Sequence, residues 1–363
     1  MAALIEPSPR YCQFSTVAGG RHYLWKGDGS NIIALCDPST ELWSLLHTTG
    51  PLPPGEYGGC SVCVGRYLYT FGGREGSSFY NDMGKLDLDT FQSTKVQSSG
   101  IQPMKKQGCG LVCVNERTLC CFGGEGIEGP TQPGSTFTSG WTNELHFFDT
   151  QKGVWSSPKL RGERPPPCSD FTFTMVDQRR AVLFGGWQPG RGNRVNDVYL
   201  FDFRTMEVTK VKPAQGEPRP VERRHHAACC LNYGQDYPHL LVYGGVGKDL
   251  KTLGDMWTLN VDTGKWTEVT PPESKTPRYW HSITATSLGP GLTEVLVFGG
   301  KQTLLLFDQP IAETTILRFE LTGPSAGKWA IVDVAHNDTR GSAQRLSEKR
   351  IRQATARASS VRQ

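Results

Sequence analysis

The sequence predicts an all-β ring of six blades, each a four-stranded antiparallel sheet, that is, a six-bladed β-propeller. Two observations predict it. A short apolar run ending in an aromatic residue and two glycines recurs as YLYTFGG, TLCCFGG, AVLFGGW, LLVYGGV and VLVFGGK. Their first glycines, Gly72, Gly123, Gly185, Gly244 and Gly299, stand 51, 62, 59 and 55 residues apart, which fits a repeat of about 50 residues with loop insertions. Behind the glycines an alternating strand leads to Asp or Asn, and six residues later to a Trp in the best copies.

The elements follow in order. Blade 1 carries a degenerate glycine copy, HYLWKGDG from His22 to Gly29, and its Asp37 leads to Trp43. Blades 3 and 5 keep the spacing as Asp149 to Trp155 and Asn260 to Trp266, while blades 2 and 4 keep the register without the indole, as Asp87 to Ser93 and Asp202 to Val208. Trp329 ends blade 6. In each blade strand a is the run before a short turn (GGCSVCV, RHHAACCL, WHSITAT), strand b ends in the glycines, strand c is the NDVYLFD-like run, and strand d starts near the Trp. One such sheet cannot bury both faces alone and must stack on its neighbours. Glycines let adjacent backbones approach, and the Trp covers the gap.

Composition agrees with a packed globular chain. The 363 residues carry 42 Gly and 24 Pro for turns, and 37% are hydrophobic. Seven Lys and Arg stand against Glu348 alone over residues 340–363, so the net +4 of the whole chain leaves the rest slightly acidic. The body therefore offers no basic nucleic-acid surface, and nucleic acid enters the expectation only through the tail. No apolar run reaches membrane-helix length, and MAALIEPSPRYC lacks a signal-peptide pattern, so a cytoplasmic protein with access to the nucleus is expected. The eleven Cys sit mostly in apolar runs, as reduced core thiols do. The expected organisation is an N-terminal extension over 1–9, a propeller over 10–336 and a basic, disordered tail over 337–363.

The glycine pairs, the Asn-Asp before strand c and the spaced Trp resemble the kelch signature. Within kelch proteins, GGCSVCVGRYLYTFGG, GWTNELHFFDT and PRYWHSITAT resemble the kelch domain-containing protein 2 and 3 group. That resemblance implies a six-bladed substrate receptor of a cullin-RING ubiquitin ligase that captures C-terminal peptide tails ending in glycine.

In an antiparallel meander the b–c loops and d–a connections emerge on one face of the ring. The long insertions, Glu125 to Thr142, Trp187 to Val195 and Lys301 to Thr314, are all b–c loops. Beside them lie Trp141, Trp187, Arg194, Arg224, His225, Arg278, Tyr279 and Trp280, and these eight are the candidate peptide-binding residues. Arg with Trp and Tyr is the composition of protein-binding hot spots, and Arg grips a carboxylate with two bonds. The histidines His226 and His281 occupy equivalent strand positions and read as structural. Measured against the group, Trp141, Arg194 and Trp280 keep matching positions. The group's basic residue after the blade 4 glycines is here Trp187, its Ser-Trp pair at blade 5 is Arg224 and His225, and its tyrosine after the blade 3 glycines is Glu125. A carboxylate pocket of different shape is the consequence. The group's helical box for the cullin adaptor elongin is not recognisable, since Leu346 and Ile351 are the tail's only large aliphatics.

The sequence offers no catalytic residues, cofactor or metal site. The lone C-x-x-C of Cys60 and Cys63 lies within a strand, and the eight His lack ligand spacing. The expected function is a platform that binds a protein or peptide. A non-ligase scaffold and a metal-dependent propeller enzyme are the alternatives.

Overall fold

A computed structural model describes residues 7–337 apart from 27–29, 39, 41, 56, 130–133, 139, 191–192, 213–215, 270–275, 304–309, 312 and 323–327. Of the expected basic tail only residue 337 is described, as the end of a strand, and 338–363 lie outside the described residues, as does the first part of the N-terminal extension. Among the described residues there is no helix, and the chain lays down six sheets of four or five strands in sequence order, with three two-stranded hairpins beside them.

Blade 1 is Phe14–Ala18, Arg21–Trp25, Ile32–Asp37 and Leu42–His47, blade 2 Cys60–Val64, Tyr67–Phe71, Met83–Asp87 and Ser93–Val96. Blade 3 is Gly110–Asn115, Thr118–Phe122, Leu145–Asp149 and Val154–Ser156, blade 4 Thr172–Met175, Arg180–Phe184, Val198–Asp202 and Glu207–Val211. Blade 5 is Ala227–Leu231, His239–Gly247, Thr252–Asn260 and Trp266–Val269, blade 6 Ser282–Gly289, Leu292–Phe298, Thr314–Thr322 and Lys328–Asn337. The strands a of neighbouring blades touch all the way round, blade 6 to blade 1 included, so they form the innermost layer.

Strand b shows why the repeat reads as a continuous apolar run. Each blade is covered on both faces, so consecutive residues such as Leu119, Cys120, Cys121 and Phe122 are all buried. One apolar cluster fills each of the six blade interfaces. The repeat tryptophans reach back one blade, as expected: Trp155 meets Phe71 at 5.2 Å, Trp266 meets Phe184 at 4.9 Å, and Trp43 of blade 1 meets Phe298 of blade 6 at 5.6 Å.

The glycine pairs are stitches between blades. The second glycine of each pair donates its amide to the next blade, Gly73 to Lys106 O, Gly124 to Cys168 O, Gly186 to Arg223 O and Gly245 to Arg278 O, all at 2.8–2.9 Å. The first glycine lies so close to the same carbonyl that a Cβ at Gly244 would stand 2.4 Å from Arg278 O, and its φ of +64° is one that L side chains rarely adopt. The seam repeats this stitch: Gly300 donates to Arg10 O at 3.0 Å. Among the described residues the ring thus closes by face-to-face packing of blade 6 on blade 1, with all four strands of each blade contributed by one stretch of chain. In the degenerate first copy, Lys26 takes the left-handed φ of +61° that glycine holds elsewhere.

One feature departs from the expected four strands. After leaving blade 2, Ser99–Gly100 pairs in parallel with Val154–Trp155 of blade 3, and Arg161–Gly162 does the same against Glu207–Val208 of blade 4. The outgoing chain covers the exposed edge of the next blade, which would otherwise present unpaired backbone groups.

Candidate functional site

Six lead-in segments carry the chain into the strands a, and they align three residues deep: Arg10-Tyr11-Cys12, Tyr57-Gly58 behind position 56, Lys106-Gln107-Gly108, Cys168-Ser169-Asp170, Arg223-Arg224-His225 and Arg278-Tyr279-Trp280. The last residue of each is left-handed, with φ of +55° at Cys12, +65° at Gly58, +61° at Gly108, +57° at Asp170, +56° at His225 and +56° at Trp280. Four of these are not glycine, an uncommon concentration of backbone strain. Their amides donate head to tail: Gly108 to Gly58 O at 2.7 Å, Asp170 to Gly108 O at 2.9 Å, His225 to Asp170 O at 3.2 Å, Trp280 to His225 O and Cys12 to Trp280 O at 3.0 Å. Five hydrogen-bonded links thus run through all six lead-ins and make an annulus at the b–c face, around the axis that the strands a enclose.

In four of the six lead-ins, those of blades 1, 3, 5 and 6, the first position is a buried cation that braces the fold. Arg223 donates to Gly244 O at 3.0 Å and pairs with Asp255 at 2.7 Å. Lys106 pairs with Glu144 at 3.4 Å with both side chains wholly buried, and Arg10 reaches Lys26 O at 3.3 Å. Arg278 belongs to this set. It is 1% exposed, donates to Gly299 O and pairs with Glu313 at 3.0 Å, so the expectation that it faces a ligand is corrected. Register separates the arginines: two residues before the left-handed turn, Arg223 and Arg278 reach the glycine carbonyl of their own blade, whereas one residue before it, at the rim position, Arg224 lies over Trp187 of the neighbouring blade.

The rim position gathers the rest. Bridges tie Ser169 to Trp187, Gln107 to Glu125, Tyr57 to Arg74 and Tyr279 to Lys301, so each rim residue lies beside the one that follows a glycine pair. In blades 3 to 5 this brings Trp141, Trp187, Arg194 and Arg224 together. The hairpin Trp187–Gln188 with Asn193–Arg194 turns Arg194 over Trp187 at 5.5 Å, and Arg224 of the next blade lies over the same ring at 4.5 Å. Trp141 stacks on Trp187 at 6.4 Å and 27°, with its Nε1 donating to Ser169 Oγ at 2.9 Å. Both guanidiniums have a buried Nε with no hydrogen-bond partner among the described residues, and Arg194 is only 6% exposed.

The charges are unbalanced. Burial, then Arg224, pulls the Arg194 pKa down, against a smaller opposing effect of Asp249. Asp170, 3.8 Å from Arg224, is the nearby carboxylate, and burial pushes it up to about 6 despite Arg224 and Ser169. Burial also raises Glu125, whose carboxylate accepts from Gln107 Nε2 at 3.3 Å.

In blades 5, 6 and 1 the site turns aromatic. Trp280 Nε1 donates to His225 Nδ1 at 2.8 Å, and burial, then Arg224 and Arg194, holds His225 well below the ordinary imidazole range. Trp280 stacks on Tyr11 at 5.7 Å, and Tyr11 stacks on Tyr57 at 5.8 Å. Lys301 sits over Tyr11 at 4.3 Å. Tyr279 is 3% exposed and supports this wall from behind, with its hydroxyl donating to Thr303 O at 2.9 Å.

The sequence profile of the KLHDC2/KLHL20/DRC7 Kelch-repeats domain matches residues 4–133 and 132–300. The chain belongs to the kelch-repeat family. It is 32% identical over 336 residues to kelch domain-containing protein 2 of Homo sapiens, covering 84% of this chain and 79% of that protein. Kelch domain-containing protein 1 of Mus musculus is 28% identical over 286 residues, covering 75% and 68%. Among solved structures, YjhT superposes with a TM-score of 0.67 at 15% identity, over 92% of this chain and 99% of that one, a likeness of fold.

In this kelch propeller the sequence-derived residues divide into three groups. Trp141, Trp187, Arg194 and Arg224 form the cationic cluster, His225, Tyr279 and Trp280 form the adjoining aromatic wall, and Arg278 braces the fold. Asp170, Tyr11, Tyr57 and Lys301 were missed. Aligning RYC (10–12) with RYW (278–280) is the signal that finds Tyr11.

Proposed function

We propose that this chain is a non-catalytic binding protein that holds a peptide on the b–c face, with the peptide's terminal carboxylate at Arg194 and Arg224. One observation carries the reading: two guanidiniums lie against one indole with their Nε groups unpartnered and buried. An anion at that point supplies the missing acceptors and offsets the repulsion between the two cations. The wall of Tyr57, Tyr11 and Trp280 offers the flat surface that hot spots use for the rest of a peptide. Membership of the kelch family supports a protein partner, and the resemblance to its kelch domain-containing protein 2 and 3 group supports a role as a ubiquitin-ligase substrate receptor.

The test is capture of a random peptide pool with free C-termini against the same pool amidated. Selective capture of free carboxylates by the full chain, lost in Arg194→Ala and Arg224→Ala, is the expected result. Equal capture of both pools overturns the carboxylate reading and leaves a general scaffold.

A further inference from the structure

The cationic cluster already contains a carboxylate, Asp170, which is hydrogen-bonded by Ser169 but held only loosely by its cation. Asp170 Oδ2 stands 3.8 Å from Arg224 and Oδ1 stands 3.8 Å from His225 Nδ1. Both distances exceed a hydrogen bond. The second is not an ion pair either. His225 Nδ1 accepts the Trp280 indole proton, so that nitrogen carries a lone pair toward Asp170 and has no proton to give. Asp170 is nonetheless fixed in place. It is a left-handed member of the annulus, its amide is bound to Gly108 O, and a Cβ on Gly108 would stand 2.6 Å from its Oδ1.

We propose that Asp170 is a built-in competitor of the ligand: its carboxylate holds Arg224 while the site is empty and gives up that guanidinium when a ligand carboxylate arrives. The inference rests on the carboxylate-binding reading above and assigns to it a control that the candidate residues themselves do not provide. Two anions and one shared guanidinium cannot coexist cheaply in a buried site, so the arriving charge raises the proton affinity of Asp170 further. Binding is then coupled to uptake of one proton from solvent, which leaves Asp170 as a neutral acid. No covalent bond changes.

The groups that face Asp170 come from several elements. Arg224 and His225 approach from the lead-in of blade 5, and Ser169 and Cys168 precede Asp170 in its own lead-in. Glu125 acts from blade 3 and Cys12 from blade 1. Arg194 acts on Arg224 from the b–c hairpin of blade 4. Of these, Glu125 is the other carboxylate raised by burial, so it needs its own control.

The experiment uses the full chain and a random peptide pool of free C-termini, with the amidated pool as reference, between about pH 5 and pH 8, where a carboxylate shifted to about 6 titrates. Capture is compared for the native protein, Asp170→Asn and Glu125→Gln. Proton uptake by the native protein is read separately, by calorimetry on the captured peptides in two buffers of different ionisation enthalpy. The expected result is affinity for free carboxylates rising about tenfold on acidification in the native protein and in Glu125→Gln, with close to one proton taken up. Asp170→Asn is expected to bind at neutral pH as tightly as the native protein does in acid, with little pH dependence. Native binding that is selective for carboxylates yet takes up no proton, or an Asp170→Asn variant that is folded and binds more weakly, overturns the competitor role and leaves the carboxylate site standing. Loss of the pH dependence in Glu125→Gln instead moves the role to that residue and overturns the assignment to Asp170. No preference for free over amidated peptides in any protein overturns the carboxylate site and the competitor together.

Discussion

The indole Nε1 of Trp280 donates to Nδ1 of His225 at 2.8 Å, across the boundary between blades 5 and 6. Because that nitrogen accepts, the imidazole is neutral with its proton on Nε2. Trp280→Phe keeps the stacking on Tyr11 and removes the bond, leaving a buried acceptor unmet. The expected loss is about 1–2 kcal/mol of stability, read by urea denaturation. Nitrogen-15 shifts of His225 should report the Nε2–H tautomer in the native protein.

Arg278 and Arg194 occupy opposite situations although both are buried. Arg278→Ala takes the cation away from Glu313 and the donor away from the Gly299 carbonyl, and should lower stability by about 1–3 kcal/mol. Arg194→Ala removes an unpaired buried cation and repulsion with Arg224, so stability should hold or rise while carboxylate binding falls. Denaturation midpoints of the two variants distinguish brace from binding residue. Equal destabilisation by both substitutions would place Arg194 among the braces.

Lys106 and Glu144 are wholly enclosed between blades 2 and 3. Breaking the pair by Lys106→Met alone should cost about 3–5 kcal/mol, because the buried carboxylate loses its countercharge. Replacing both by Lys106→Met with Glu144→Leu should recover most of that loss. A double-mutant cycle measured by chemical denaturation checks the coupling.

Acid stability has two opposing contributions. Burial holds His225, His226 and His281 well below their ordinary value, and His22 down to about 4. The unfolded chain binds those protons first, so stability should fall as pH drops below about 6.5. Asp170 works in the other direction. Its folded pKa is raised, so its contribution is complete below the unfolded value and is lost as pH rises through about 6. Asp170→Asn should therefore stabilise the protein above about pH 6, by up to about 3 kcal/mol, and have little effect below about pH 4. Thermal melts across that range check both signs.

The blade architecture was legible because its physics is local and repeated. A glycine pair that must sit under the next blade's carbonyl and a Trp that must reach back to the previous blade's Phe recur at fixed offsets, so Gly244 and Trp266 announce themselves in the chain. The rim was only half legible. Arg223 and Arg224 are the same residue type one position apart, and which of them braces the fold depends on a left-handed turn at His225 that composition does not reveal. Arg278 was misplaced for this reason. Asp170 escaped notice because its lead-in has Cys168 where blades 1, 3, 5 and 6 have a buried cation, so nothing in that stretch marked it as part of the same series.

The seam between blades 6 and 1 uses the same glycine stitch and the same reach-back Trp as the interior boundaries, Gly300 to Arg10 and Trp43 to Phe298. Nothing chemical marks it as the place where the backbone must be open. Each blade is one uninterrupted stretch of chain, so the circle is indifferent to its point of opening: circular permutants that join the present ends and cut between any two blades should reach the same ring. A fold of this kind can grow, duplicate or be re-started a blade at a time without redesigning its joints.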